Sequence, residues 1–282
     1  MSSQRSQCLT PMGLSERSVS FHDSFGYESG SSQPSFNLEF YFWPNLEYSF
    51  SVNTDSVSAE LDNELATLKE KLLTMASHAE AAVNRAIKAL LRRDDDLARR
   101  TKEEDSVIDR LEMEIDEGAL QLLARKRGPF ELRLITMAMK IALDLERVGD
   151  EATTISRRCL ELSHEAPLKQ RVEIPHMATL ALQMLKDSLD AFVNRDPARA
   201  RSVIPRDEEV DALNKQLHRE LARYMVEQPT TITRCLNLMV ISKSLERIAD
   251  HATNIAELVV YLYEGQDIRH APKPDAPAPS NR

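Results

Sequence analysis

Two stretches of this 282-residue chain, LERVGDEATTI at 145–155 and LERIADHATNI at 245–255, agree at seven of eleven positions. The pattern around them extends further. Ala138, Ile141, Leu145, Val148, Ala152, Ile155, Cys159 and Leu162 recur every three or four residues, and adding 100 gives Leu238, Ile241, Leu245, Ile248, Ala252, Ile255, Val259 and Leu262. Such spacing marks one apolar stripe of a helix that packs in a bundle. A stripe that returns at a fixed offset marks a fold built twice.

The repeat holds on either side. Pro129 and Pro229 stand where each helix opens, a position at which the missing N–H of proline costs nothing. Arg93-Asp94 and Arg195-Asp196 match with an offset of 102, so the connection between second and third helices differs by two residues. Upstream, Leu61, Leu65, Leu68, Leu72, Met75, Ala79, Val83, Ala86 and Leu90 form the stripe of a first helix of about eight turns. A single second helix is expected from the polar 93–96 turn to about Arg127. Between Glu60 and the glycine at 265 only Gly118, Gly128 and Gly149 interrupt a sequence rich in Leu, Ala, Glu, Arg and Ile, which favours long helices with short connections. The expected fold is therefore all-α: two tandem three-helix bundles, over residues 59–166 and 172–268, joined near Pro167–Pro175.

The ends differ in character. Residues 1–58 hold ten of the fifteen aromatics and no lysine, show no sustained period, and are broken by Pro11, Pro34 and Pro44. They are expected to be a disordered or non-native N-terminal extension, with translation starting further in, at Val52 or Val57, as one explanation. The alternative is a recruitment segment at Leu38–Phe50, where exposed aromatics dock on a partner. The Pro-rich tail, 269–282, is expected to be disordered.

Charge and cysteines exclude several functions. A net charge of −9 argues against nucleic acid or an anionic membrane surface as the main partner. Three cysteines, Cys8, Cys159 and Cys235, form neither a zinc knuckle nor a disulfide framework, which fits a reducing, cytoplasmic setting. No apolar run approaches the roughly 18 residues that span a bilayer, so direct membrane insertion is not expected.

Three polar identities between the repeats lack a packing explanation: Glu146/Glu246, Arg147/Arg247 and Asp150/Asp250. Glu146 and Asp150 are i and i+4, with Cβ atoms about 6 Å apart on one helix face, a like-charge pair that destabilises a helix by a few tenths of a kcal/mol unless neutralised. Flanking the seam, they point to the bundle surface or to a groove at its edge. Asp105 and Asp109 form a second such pair, matched by Asp207 and Asp211. Antiparallel packing of second and third helices can bring the pairs together, giving four carboxylates per half. A solvated acidic face is the plain reading of any one pair; four pairs at matched positions favour a hard-cation site, since oxygen-only ligands suit Mg²⁺, Mn²⁺, Ca²⁺ or iron. His218 and His251 stand near the second set and would admit zinc, but a lone helix-surface His is more often solvated, and neither is assigned as a ligand. Arg147 and Arg247 either pair with neighbouring acids and orient the site or contact an anion or partner. The chain lacks the Glu-x-x-His pairs of di-iron bundles, a phosphate-binding Gly-rich loop and a nucleophile elbow, so it is expected not to be an enzyme; a carboxylate-bridged metal enzyme and a metal-free helical scaffold are the competing readings.

The doubled L-E-R-[IV]-[GA]-D-x-A-T-x-I, the paired E/D-x-x-x-D motifs, the opening EL-x-x-LKEKLLTMA and the closing EGQDIRH at 264–270 resemble the PhoU family of phosphate-uptake regulators over about 59–268. The resemblance implies a cytoplasmic homodimer of two-domain subunits that binds multinuclear clusters of iron, zinc, manganese or magnesium. It further implies action with the ATPase subunit of a phosphate ABC transporter and a phosphate-sensing histidine kinase, restraining both phosphate import and the starvation response. Carried over by position, the ligands are Asp105, Asp109, Glu146 and Asp150 in one half and Asp207, Asp211, Glu246 and Asp250 in the other.

Overall fold

The structure is a computed structural model that describes residues 54–125, 128–168 and 173–269, with side chains from residue 63 onward. Residues 1–53, including the Leu38–Phe50 segment and Cys8, and the tail from 270 lie outside the described residues. The first helix starts at Thr54, five residues before the expected boundary at 59.

Among the described residues all regular structure is helical. The first half comprises α1 (Thr54–Arg92), α2 (Asp95–Glu103), α3 (Asp105–Leu123) and α4 (Pro129–Ser163). The second comprises α5 (Ile174–Asn194), α6 (Pro197–Val203), α7 (Asp207–Glu227) and α8 (Ile232–Glu264), with 3₁₀ turns at Ile204–Arg206 and Pro229–Thr231. In each half three long helices form the bundle: α1, α3 and α4, then α5, α7 and α8. The halves pack mainly through α4 against α8. Among the described residues no helix is long and apolar enough to cross a membrane.

The seam behaves as its spacing predicts. Ala138 through Cys159 are buried at every stripe position of α4, and Ile241 through Leu262 at every stripe position of α8. Leu162 and Leu238, the two stripe residues left partly buried, line one cavity with Arg93, Pro167 and Arg234 where the halves join. Each fully buried Leu or Ile contributes roughly 1.5–3 kcal/mol over its exposed state. In α1, Leu65, Leu68, Leu72, Met75, Ala79, Val83 and Ala86 are likewise buried.

The second helix is not one helix. In each half a short helix precedes the long one, α2 before α3 and α6 before α7, and the chain re-aims at Glu104 and at Ile204–Arg206. The same device starts both short helices. Arg93 and Arg195 each adopt a left-handed conformation with φ 54° and end the preceding long helix. The following amides close back in Schellman fashion, Asp94 N–H to Ala89 C=O at 3.0 Å and Asp196 N–H to Ala191 C=O at 2.9 Å. Asp94 and Asp196 then cap the new helix: the Asp94 carboxylate accepts from the amides of Asp96 and Leu97, and Asp196 from that of Arg199. The Arg93 guanidinium also donates to the carbonyls of Leu162, Ser163 and Glu165, closing the C-terminal end of α4. The break matters for function, because it makes Asp105 and Asp207 the first residues of α3 and α7.

Candidate metal centre

Asp105 opens α3, where the helix dipole favours a carboxylate. One turn on, Asp109 shares its face, and α4 brings Glu146 and Asp150 alongside. Gly149 sets this approach. The Cβ that any other residue would add there lies 2.9 Å from Ile108 Cδ1 and 3.2 Å from Asp105 Oδ1. The second half solves the same packing problem with Val210 and Ala249, both fully buried: a smaller residue on the second helix, a larger one on the third.

Crowding and burial govern the charges of the first cluster. Burial, then Asp109 and Asp150, push the Asp105 carboxyl up from 3.8 to about 6. Burial also raises Glu146, followed by Asp150, with Arg147 opposing. The Glu146 side chain is only 17% exposed, and its Oε2 accepts no hydrogen bond; the Arg147 Nε 3.3 Å away is its charge partner. Arg147 Nη1 also lies 3.2 Å from Asp150 Oδ2. Arg147 therefore pairs with the acids of its own site, the first of the two roles open to it in the sequence.

Two acids belong here that sequence reasoning passed over. Burial raises Glu112, as do Asp116, Asp109 and Asp150, with Arg147 again opposing. The α3–α4 groove thus carries six carboxylates: Asp105, Asp109, Glu112, Asp116, Glu146 and Asp150. Glu112-x-x-x-Asp116 is itself a motif of the expected form. It escapes any search for positions shared by the two halves, because Asn214 and His218 stand at its counterpart.

The second half brings Asp211, Glu246 and Asp250 together in the same way, and burial with Glu246 raises Asp250. Glu246 is the most buried carboxylate of either set, at 9% exposure. Its neighbours differ in kind. The Lys243 ammonium donates to Glu246 Oε2, and Lys215 Nζ donates to Asp211 Oδ2 at 2.9 Å. That contact holds the Asp211 carboxyl below its ordinary value, while Asp211, Glu246 and Asp207 together raise Lys215. In the first half the equivalent positions are Met113 and Leu143, both exposed. Asn214 and His218 meet at Ser242, whose hydroxyl donates to Asn214 Oδ1 at 2.8 Å and lies 3.1 Å from His218 Nε2.

Arg247 departs from Arg147. It leaves its own acids and reaches across to α4, Nη1 3.0 Å from Glu151 Oε1. Nearby, His251 Nδ1 lies 2.9 Å from Asp144 Oδ1, which also accepts from Asn254 Nδ2 at 3.1 Å. These pairs tie α8 to α4, so Arg247 and His251 serve the contact between the halves.

Among the described residues, no three His, Cys, Asp or Glu side chains already form a coordination shell. The first cluster nevertheless fits a hard cation: its donors are all oxygen, one buried oxygen lacks a hydrogen bond, and burial with like charge raises several of its carboxyls. The second fits less well, because the chain supplies ammonium groups to its carboxylates.

The family model described as the PhoU domain matches the chain twice, at residues 72–159 and 174–259. A phosphate-specific transport system accessory protein PhoU homolog of Pseudomonas aeruginosa is 41% identical over 225 residues, covering 78% of this chain and 93% of that protein. A homolog of the same description from Rhizobium meliloti is 39% identical over 223 residues, covering 78% and 94%. The crystal structure of PhoU from Pseudomonas aeruginosa superposes with a TM-score of 0.71 at 41% identity, over 73% of this chain and 99% of that one. That of the phosphate transport system regulatory protein PhoU from Streptococcus pneumoniae gives 0.69 at 29% identity, over 73% and 98%. With two matched domains, the doubled acidic motif and the helical architecture in agreement, this chain belongs to the PhoU family.

Proposed function

We propose that this protein is a cytoplasmic, non-enzymatic regulator of phosphate uptake. It acts with the ATPase subunit of a phosphate ABC transporter and a phosphate-sensing histidine kinase, holding the starvation response and phosphate import down when phosphate is plentiful. The observation that carries this reading is the match of both halves, over nearly the full length of relatives described as phosphate-specific transport accessory proteins. The working unit is a homodimer, with residues 59–166 and 172–268 as the two domains of each subunit.

Metal binding is part of the proposal. In the N-terminal half Asp105, Asp109, Glu146 and Asp150 would hold iron, manganese, magnesium or zinc, with Glu112 and Asp116 extending the row. A bound divalent ion supplies positive charge that satisfies the crowded carboxylates and fixes α3 against α4. The Asp150 side chain is 49% exposed, so the site opens to solvent. That suits a surface whose shape and charge a partner reads better than a redox centre sealed in a core. The test is deletion of the gene in a strain carrying a phosphate-starvation reporter. Constitutive expression at high phosphate, reversed by the wild-type chain, is the expected result; an unaltered response overturns the regulatory reading.

A further inference from the structure

The doubled fold carries two acidic clusters at matched positions, and their counter-ions differ. The α3–α4 cluster has six carboxylates and one cation within it, Arg147, whose guanidinium pairs with Glu146 and Asp150, and the positions that face the rim from each helix are the exposed apolar residues Met113 and Leu143. In the α7–α8 cluster those two positions are Lys215 and Lys243, each bonded to a candidate ligand, Asp211 and Glu246. Two further acids of the first cluster, Glu112 and Asp116, become Asn214 and His218, and both of these turn to Ser242. We propose that the two halves are inequivalent cation sites: the α3–α4 cluster takes the divalent ions, whereas the α7–α8 cluster, half of whose carboxylate charge is offset by Lys215 and Lys243, takes none at concentrations that fill the first.

The proposal rests on the reading that this chain binds metal at all. Its physical basis is competition. Each lysine is tethered to the helix that carries its partner, at i,i+4 for Asp211–Lys215 and i,i+3 for Lys243–Glu246, so its effective concentration at the carboxylate is on the order of millimolar or more. A divalent ion needs several oxygens at once. In the second half it would have to displace both ammonium groups and leave them beside a new positive charge. In the first half it meets carboxylates that share one half-exposed guanidinium, that of Arg147, and displaces no ammonium.

The experiment is equilibrium dialysis of the metal-free full chain against Mn²⁺ at pH 7.5, with bound ion counted and its EPR spectrum recorded. Variants are Glu146→Gln and Asp150→Asn in the first half, and Glu246→Gln and Asp211→Asn in the second, each checked for native circular dichroism. Asp150 and Asp211 are solvent-accessible, so their variants keep the test alive where a buried change perturbs folding. Expected are an at least tenfold loss of Mn²⁺ affinity in the first-half variants and wild-type binding in the second-half ones. K215M/K243L, which gives the second half the rim residues of the first, is expected to bind more Mn²⁺ than wild type. Equal losses in both halves, or no gain in K215M/K243L, overturn the inference while leaving metal binding intact. No Mn²⁺ binding by the wild-type chain overturns the metal reading itself, and this inference with it.

Discussion

Ile141, Leu145, Val148 and Ala152 in α4 face the same surroundings as Ile241, Leu245, Ile248 and Ala252 in α8, and all eight are fully buried. A turn away on the outer face the halves part company: Met113 and Leu143 on one side, Lys215 and Lys243 on the other. The contrast shows where a duplicated fold can diverge. A packed seam changes only by compensated steps, as when Ile108 and Gly149 become Val210 and Ala249, because interiors are filled to near-crystalline density. The rim has no such constraint, and each lysine there offsets one carboxylate of a cluster without disturbing a helix.

A seam common to both halves should carry the same energy in each. Leu145→Ala and Leu245→Ala should each cost about 2–5 kcal/mol in denaturant unfolding, through lost burial and a residual cavity. A cost confined to one of them would mean the halves are not equivalent frames. The arginines come next. Arg247→Ala should cost about 1–3 kcal/mol, since it strands Glu151, whose side chain is 12% exposed. Arg147→Ala takes the charge partner from Glu146, 17% exposed, but leaves Asp150 to solvent, and should cost less, within about 1 kcal/mol. A double-mutant cycle sharpens the packing side: I108V/G149A recreates the pairing of the second half, and should be more stable than the sum of its single changes by about 0.5–3 kcal/mol.

A further effect, of about 1 kcal/mol at most, has opposite signs in the two clusters. The Asp105 carboxyl titrates near 6 in the folded chain against an ordinary value of 3.8, so the native state holds its proton longer than the unfolded one. In metal-free protein its contribution to stability therefore falls as pH rises from about 4 to about 6, and Asp105→Asn should stabilise at pH 7.5 by up to about 1 kcal/mol, a few degrees in Tm. Asp211 is held below its ordinary value by Lys215, so it stabilises above pH 4 and loses that contribution as pH falls through its folded value. Asp211→Asn should destabilise slightly at pH 7.5, within about 1 kcal/mol for so exposed a pair. Thermal melts of both variants in chelator at pH 7.5 and pH 5 check the signs.

The helical class, the doubled bundle and both seams were legible in the sequence because a 3–4 apolar spacing has one structural outcome and an internal repeat confirms itself. The break at Glu104 was not, since no proline or glycine marks it. The Asp94 cap signals where α2 begins, but where it ends is set by packing on α1 and α4. The pairing of Asp105–Asp109 with Glu146–Asp150 followed from spacing, whereas Glu112 and Asp116 were hidden by the rule used to find the others. Survival in both halves selects what the halves share; what distinguishes them lies in what they do not. Arg147 and Arg247 make the point again, since identical motif positions send one guanidinium to its own site and the other across to Glu151.

On this reading one fold carries a cation site and a copy of it that two lysines partly neutralise. Anomalous diffraction at the manganese edge, from crystals of the full chain grown with Mn²⁺, tests it most directly. Peaks are expected between α3 and α4 beside Asp105, Asp109, Glu146 and Asp150, and none between α7 and α8. Peaks of equal height in both grooves, or in the second alone, would contradict it.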